Sequence, residues 1–343
     1  MSFQFPRKLF AGAALGALLT AGAIAPAAAQ SVKVETAGGC PQVITVISAK
    51  YASRSGINMQ VNDGKTLTKS MMLAGQGRID VTSAVPAPYN FMKAGAAMYK
   101  SLGKEKSSAL AANLRGMWGY SCGVFLAMVW DESPVRTWED LKGKKVFTGP
   151  PSGAAAQDME QFIQAMTGYK PNVDYTAVRL NWPGAQPGMR DGQFDVYMRP
   201  MTIPSALVEE LQSIRTLRIL PVTPEDMKKP GMQKFVTKAG NLLTTLKAGA
   251  YPGLKGNDKD MPMPGLGLMQ IAGKHVPDDV IYKITASFFD NIEEIHKNNP
   301  AFRSVSLKDP FATLNVPLHP GAYKYFKEKG VKVPANLVPP GQS

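Results

Sequence analysis

Hydrophobic and polar positions switch between two rhythms along the first two thirds of the chain. "VKVETAG" has strand character and ends in Gly38-Gly39, and "VITVISAKYAS" follows with helical spacing. "INMQVND" and "TLTKSMMLAGQG" repeat the pair, and "IDVTSAV" adds a strand closed by Pro86 and Pro88. This βαβαβ order predicts a parallel sheet covered by helices. Ligands of such sheets sit at the carboxyl ends of the strands. Gly38, Gly39 and Cys40, and later Pro86 and Ala87, occupy those ends.

"CGVFLAMVW" is a longer apolar strand, suited to crossing between domains. A second α/β unit then begins with "TWEDLKGKKVFTG" and continues through a helix, "YTAVRLN", the "AQPGMRDGQ" helix and "FDVYMRP"; "LRILPV" is one more strand. From Thr223 the pattern loosens under frequent Pro, Gly and Lys. "PDDVIYKITASFFDNIEEIHKN" restores it: Ile281, Ile284, Phe288, Ile292 and Ile295 share one helical face, with Asp278 and Asp279 at its positive end.

The N-terminus has another layout. Arg7 and Lys8 precede an apolar run from Leu9 to Ile24, and Ala27-Ala28-Ala29 has the small-residue pattern of a cleavage site. Residues 1–29 are therefore expected to be a secretory signal peptide, and the mature protein to be periplasmic. Removal of Arg7 and Lys8 takes two charges from the net +13 of the whole chain. The basic balance suits an anionic ligand or surface. No basic run interleaved with aromatics and no zinc-finger pattern points to nucleic acid. Cys40 and Cys122 would meet an oxidising compartment, where either a disulfide or two separate buried thiols would persist.

"GPPSGAAAQDMEQF", residues 149–162, predicts a strand end, a small-residue turn and a helix. Ser152 is read as its N-cap, with Gly153 leaving the first N–H groups open. Those groups and the helix dipole favour a negative ligand, although an ordinary capped helix has the same spelling. The Lys and Ser/Thr of a P-loop are missing, which favours a carboxylate over a nucleotide phosphate. Enzyme signatures are not found: His275, His296 and His319 have no metal-ligand spacing, and no G-x-S-x-G elbow occurs. The reading is of a binding protein with no cofactor and no metal.

Four separated stretches share one order with a known group: "DLKGKKVFTGPPSG", "MRDGQFDVYMRPMTIP", "AYPG" with "MPMPGLG", and "PLHPGAYKYFKEKG". The chain resembles the TAXI-type solute-binding proteins of tripartite ATP-independent periplasmic (TRAP) transporters, from about Val32 to near Pro334. The resemblance implies an α/β, type II periplasmic binding protein fold, with two α/β lobes joined by a hinge and the ligand cleft between them. It implies lobe 1 at 30–123, lobe 2 at 124–221, and a return to lobe 1 with C-terminal helices at 222–343. The implied ligand is a small organic acid, the implied partners are the TRAP membrane permease subunits, and the chain is expected to act as a monomer. A ligand-sensing partner of a membrane sensor kinase would use the same cleft.

The residues expected at the ligand are Gly38, Gly39, Cys40, Pro86, Ala87, Tyr89, Ser152, Gly153, Ala154, Trp182 and Arg199. Pro41 and Met198 are further candidate walls. The chain departs from the family where Cys40 and Ala154 replace hydroxyl residues and where Arg199 replaces a neutral one. Arg199 is either a carboxylate fork in place of those hydroxyls or a surface ion pair with an acid such as Glu209. Fewer hydroxyls favour an acid with an apolar or aromatic body. His319, between Pro317 and Pro320, is expected to lock a C-terminal turn.

Overall fold

A computed structural model describes residues 1, 2 and 30–342; the expected signal peptide lies outside them, save its first two residues. Among the described residues no helix is long and apolar enough to cross a membrane. The first α/β unit forms as the hydrophobic rhythm dictates: β1 (Gln30–Glu35), α1 (Cys40–Ser53), β2 (Ile57–Asn62), α2 (Leu67–Gly75) and β3 (Val81–Ala84). β1 pairs in parallel with both β2 and β3.

Pro86 and Pro88 do not merely close β3. They open α3 (Pro86–Ala94), because a proline in the first helical turn has its ring torsion preset and lacks only an N–H that had no helical partner. α4 (Lys104–Ala112) leads into β4 (Leu114–Trp130), which begins well before the "CGVFLAMVW" segment. The second unit holds β5 (Lys145–Gly149), α5 (Ala155–Thr167), β6 (Thr176–Arg179), α6 (Trp182–Arg190), β7 (Val196–Met201), α7 (Ala206–Ile214) and β8 (Leu217–Ile219). β5 is parallel to β6 and β7.

The loosely patterned region contains α8 (Pro230–Val236), β9 (Asn241–Leu246) and β10 (Met261–Gly273). The expected long helix is two: α9 (Asp278–Phe289) and α10 (Ile292–Asn298). Asn291 breaks it, at φ −110° and ψ 18°, and its side chain donates to the Ser287 carbonyl, an intrahelical competition typical of Asn. α11 (Pro320–Glu328) closes the chain.

The strands form one mixed sheet in the order β2-β1-β3-β10-β4-β7-β5-β6, with β8 on β4 and β9 on β10. β10 runs antiparallel between β3 and β4, so the first lobe is not purely parallel. Two hydrophobic cores flank the sheet's middle. The first gathers Val32, Val34, Ile44, Tyr51, Trp118, Phe288, Phe289 and Phe326; the second gathers Phe125, Phe147, Phe162, Tyr197 and Leu211. Residues from Val222 to Met263, expected with the first lobe, place Met232, Phe235, Leu246 and Met263 in the second core. Phe235 stacks on Phe162 at 5.2 Å, so α8 packs on α5.

β4 and β10 each contribute to both cores and pass together from one lobe to the other. At the crossing Gly123 has φ +84°, and a Cβ there would stand 1.7 Å from the Met201 carbonyl oxygen. Only glycine fits that turn and that approach. The result is a two-lobed α/β fold joined through a pair of antiparallel strands.

Candidate functional site

The cleft between the lobes holds an inner chamber of about 90 Å³ and an outer one of about 660 Å³. Gly38, Cys40, Thr66, Pro150, Trp182, Arg199 and Pro200 line both, and so form the throat. Of the residues expected at the ligand, Cys40, Ser152, Gly153, Ala154, Trp182, Arg199 and Gly38 line the inner chamber, and Gly39 the outer. Pro41 joins the inner wall.

Pro86, Ala87 and Tyr89 line neither chamber. α3 turns the chain behind β3: Pro86 gives its carbonyl to Asn315 Nδ2 at 3.1 Å, and Tyr89 is buried in the first core. Val85, one residue earlier, faces the cleft instead. Met198 points into the second core.

Ser152 is not the N-cap of α5. The cap is Ala154, with no side-chain hydrogen bond, and Ser152 is exposed on the turn before it. Gly153, between them, has φ +99°, a left-handed turn that favours glycine. α1 likewise starts at an N-cap, Gly39, without a side-chain cap. Backbone N–H groups at both helix starts therefore lack side-chain partners and border the cleft, where helix dipoles favour an anion.

Cys40 and Cys122 form a disulfide, with Cα atoms 5.7 Å apart, and both line the inner chamber. It ties the first residue of α1 to β4 one residue before the Gly123 turn. An apolar sulfur wall thus stands where the family resemblance placed a hydroxyl.

Arg199 extends from β7 toward the opposite lobe. Its guanidinium carbon lies 4.7 Å from the centre of the Trp182 ring, and Nη1 donates to Tyr197 Oη at 3.0 Å. Tyr197 packs edge-on against Phe147 at 5.1 Å, and Trp182 against Phe147 at 6.0 Å, so an aromatic cluster fixes both supports. Nε is buried without a hydrogen-bond partner. Nη2 stands 2.8 Å from where a Cβ on Gly39 would lie, so the guanidinium reaches the first lobe's loop. Among the described residues no acid pairs with Arg199, and the ion pair with Glu209 is not formed.

Several lining residues escaped the sequence reading: Thr66, Leu67, Thr68, Asp158, Met159, Leu266 and Leu268. Asp158 had a legible signal, since it lies four residues before Phe162 on the apolar face of α5. A charged side chain on that face is costly unless partnered. Lys238 Nζ supplies the partner at Oδ1. Burial pushes the Asp158 carboxyl up from the usual carboxylate range, while Lys238 pulls it down.

The site is thus a cleft shared by two α/β lobes, with a guanidinium in its throat that pairs with no acid among the described residues. The chain belongs to the NMT1-like family, whose sequence profile matches residues 40–330. Among solved structures it is similar to a TRAP periplasmic solute-binding protein from Ralstonia eutropha with bound (S)-2-acetolactate, at 16% identity and TM-score 0.45, covering 90% of this chain and 88% of that one. It is also similar to the periplasmic aliphatic sulphonate binding protein of Escherichia coli, at 14% identity and TM-score 0.44, covering 87% and 78%. A TRAP solute-binding protein from Citrobacter koseri with bound D-glucuronate gives 14% identity and TM-score 0.43, covering 88% of both chains. All three likenesses are distant.

Proposed function

We propose that this protein is an exported TAXI-type receptor that captures a small organic acid and delivers it to a TRAP membrane permease for ion-gradient-driven uptake. The observation that carries the reading is Arg199: a half-buried guanidinium held by Trp182 and Tyr197 and lining the cleft, with no acid paired to it among the described residues. A substrate carboxylate supplies the missing counter-charge through a bidentate pair at the throat. Backbone N–H groups at the starts of α1 and α5 complete its coordination from opposite lobes.

Because those donors belong to different lobes, the closed form gains contacts that an open form lacks, and binding favours closure. Catalysis has no part in this reading: the cleft's role is to hold and release its ligand unchanged.

Thermal unfolding in the presence of keto acids, hydroxy acids, dicarboxylates, glutamate and aromatic carboxylates tests the proposal. Phosphate, sulfate and copper serve as controls. A ligand at 100 times its Kd adds about 2.7 kcal/mol and raises the transition by several degrees. One acid class is expected to do so, and Arg199→Met to abolish the shift. A response to none of the acids, or an equal response in Arg199→Met, would sink the reading.

A further inference from the structure

A second charged group in the cleft is not used by carboxylate capture at the throat. Asp158 is 7% exposed and lines the inner chamber but not the outer one, whereas Arg199 lines both. The two charges therefore mark different depths.

Lys238 reaches Asp158 from outside the cleft. It lines a separate surface recess with Gln164, Gly231 and Phe235, and its ammonium also donates to Gln161 Oε1 at 2.9 Å. Asp158 accepts from the Lys238 ammonium through Oδ1. Among the described residues no hydrogen bond reaches Oδ2, and Oδ2 is not among the sealed polar atoms that lack a partner. The hydroxyl residues lining this chamber are Ser152, on the turn before α5, and Thr66 and Thr68, whose hydroxyls are 3.1 Å apart. Leu67, Val85, Met159, Leu266, Leu268 and the disulfide make the remainder apolar.

We propose that this inner end selects the tail of the bound acid: the ligand is a compact monocarboxylate with a hydroxyl remote from its carboxylate, and that hydroxyl donates to Asp158 Oδ2. The inference rests on carboxylate capture by Arg199. It follows from the charge balance around Asp158. Lys238 already neutralises the carboxylate, so an ammonium tail would bring an uncompensated positive charge into a small, largely apolar space. A second ligand carboxylate would face Asp158 itself, and buried like charges repel strongly. A methyl tail would strip water from Oδ2 and return nothing. A neutral donor satisfies the oxygen and leaves the ion pair intact, while the apolar walls take up the carbon chain.

Titration calorimetry on the full mature chain, with its disulfide intact, tests this. The probes are short straight-chain acids of matched length that end in a methyl, a hydroxyl, an ammonium or a second carboxylate. The hydroxyl member is expected to bind tightest, about tenfold or more above the methyl member, with the dicarboxylate weakest. Asp158→Asn removes the charged acceptor and puts an N–H donor in its place, so it is expected to narrow the preference for the hydroxyl over the methyl member and to improve the dicarboxylate relative to wild type. If that variant fails to fold, the wild-type series decides alone. Equal binding of the methyl and hydroxyl members, or a preference for the ammonium or dicarboxylate tail, overturns this inference while capture at Arg199 stands. If no acid of the series binds, both fall together.

Discussion

The two walls of the inner chamber are made of different chemistry. The first lobe gives it Gly38, Pro41, Thr66, Thr68, several aliphatic side chains and a disulfide, with no charged group among the described residues. The second lobe gives it both charges, Arg199 and Asp158, together with the Trp182 ring. The first wall is pinned covalently near the crossing of the lobes, and the second is held by packing of Phe147, Trp182 and Tyr197. Opposite charges on facing walls would draw an empty cleft shut. With both of the inner chamber's charges on one wall, ligand capture there as proposed would make closure depend on what the ligand brings to the other wall.

Stability should respond chiefly to the first wall and affinity chiefly to the second, and four measurements can break or sharpen that division. The largest effect is expected from Cys40→Ala with Cys122→Ala. The disulfide spans 82 residues, and its removal should lower stability by about 4 kcal/mol on the chain-entropy account. Chemical unfolding with and without a reductant measures it. A loss well under 1 kcal/mol would mean that β4 and α1 hold the floor without it.

His319 gives the next effect, also in the first lobe. Its backbone N–H donates to Gly116 on β4 at 2.8 Å, and its Nδ1 caps α11 by accepting from the Gly321 N–H. Burial lowers its pKa to about 4, against the pull of Asp278 and with small help from Arg115 and His275. Between the ordinary value near 6.5 and 4, the unfolded chain takes a proton that the folded chain refuses. Its contribution is therefore present above about pH 6.5 and falls as pH drops through that window, by about 3 kcal/mol in all. His319→Asn keeps a capping side chain and removes the titration. The difference in stability between wild type and variant should change with pH over this window; a constant difference would contradict the buried neutral imidazole.

In the second lobe the expected order reverses, with binding affected and folding spared. Arg199→Met should weaken the acid about 100-fold, the equivalent of roughly 2.7 kcal/mol, with an unfolding midpoint near that of wild type. A large loss of stability instead would show that the guanidinium is a structural strut between the lobes. Trp182→Leu should have the smallest effect, about tenfold or less in affinity, because it removes the ring that orients Arg199 but not the charge. Calorimetry on the same acid checks both. If the Trp182 variant loses as much as the Arg199 variant, the ring itself touches ligand.

The alternating units from β1 to β3 and from β5 to β7 were legible because their signals are local. Apolar residues recur at one period or the other, with glycine or proline at the breaks, and no distant contact is needed to read them. β10 was illegible for the converse reason. "MPMPGLGLMQIAG" carries two prolines and three glycines, poor strand formers, and becomes a strand only because β3, β4 and β9 pair with it. α3 was hidden by prolines that look like a stop and act as a start. Of the residues expected at the ligand from residue chemistry and family resemblance, Arg199, Trp182 and the Ser152–Ala154 turn line the cleft. Pro86, Ala87 and Tyr89 line neither chamber, since the turn of α3 decides on which side of β3 they fall.

The sequence by itself determined the local elements, the two α/β units and the presence of an arginine where a neutral residue was expected, because each depends on neighbours along the chain. Only the tertiary structure decided that Cys40 and Cys122 join, that residues 222–263 serve the second core, and that among the described residues no acid pairs with Arg199. Each of these is a distance between residues far apart in the chain. Hydrophobic burial and sheet pairing set such distances, and no spacing in the sequence encodes them.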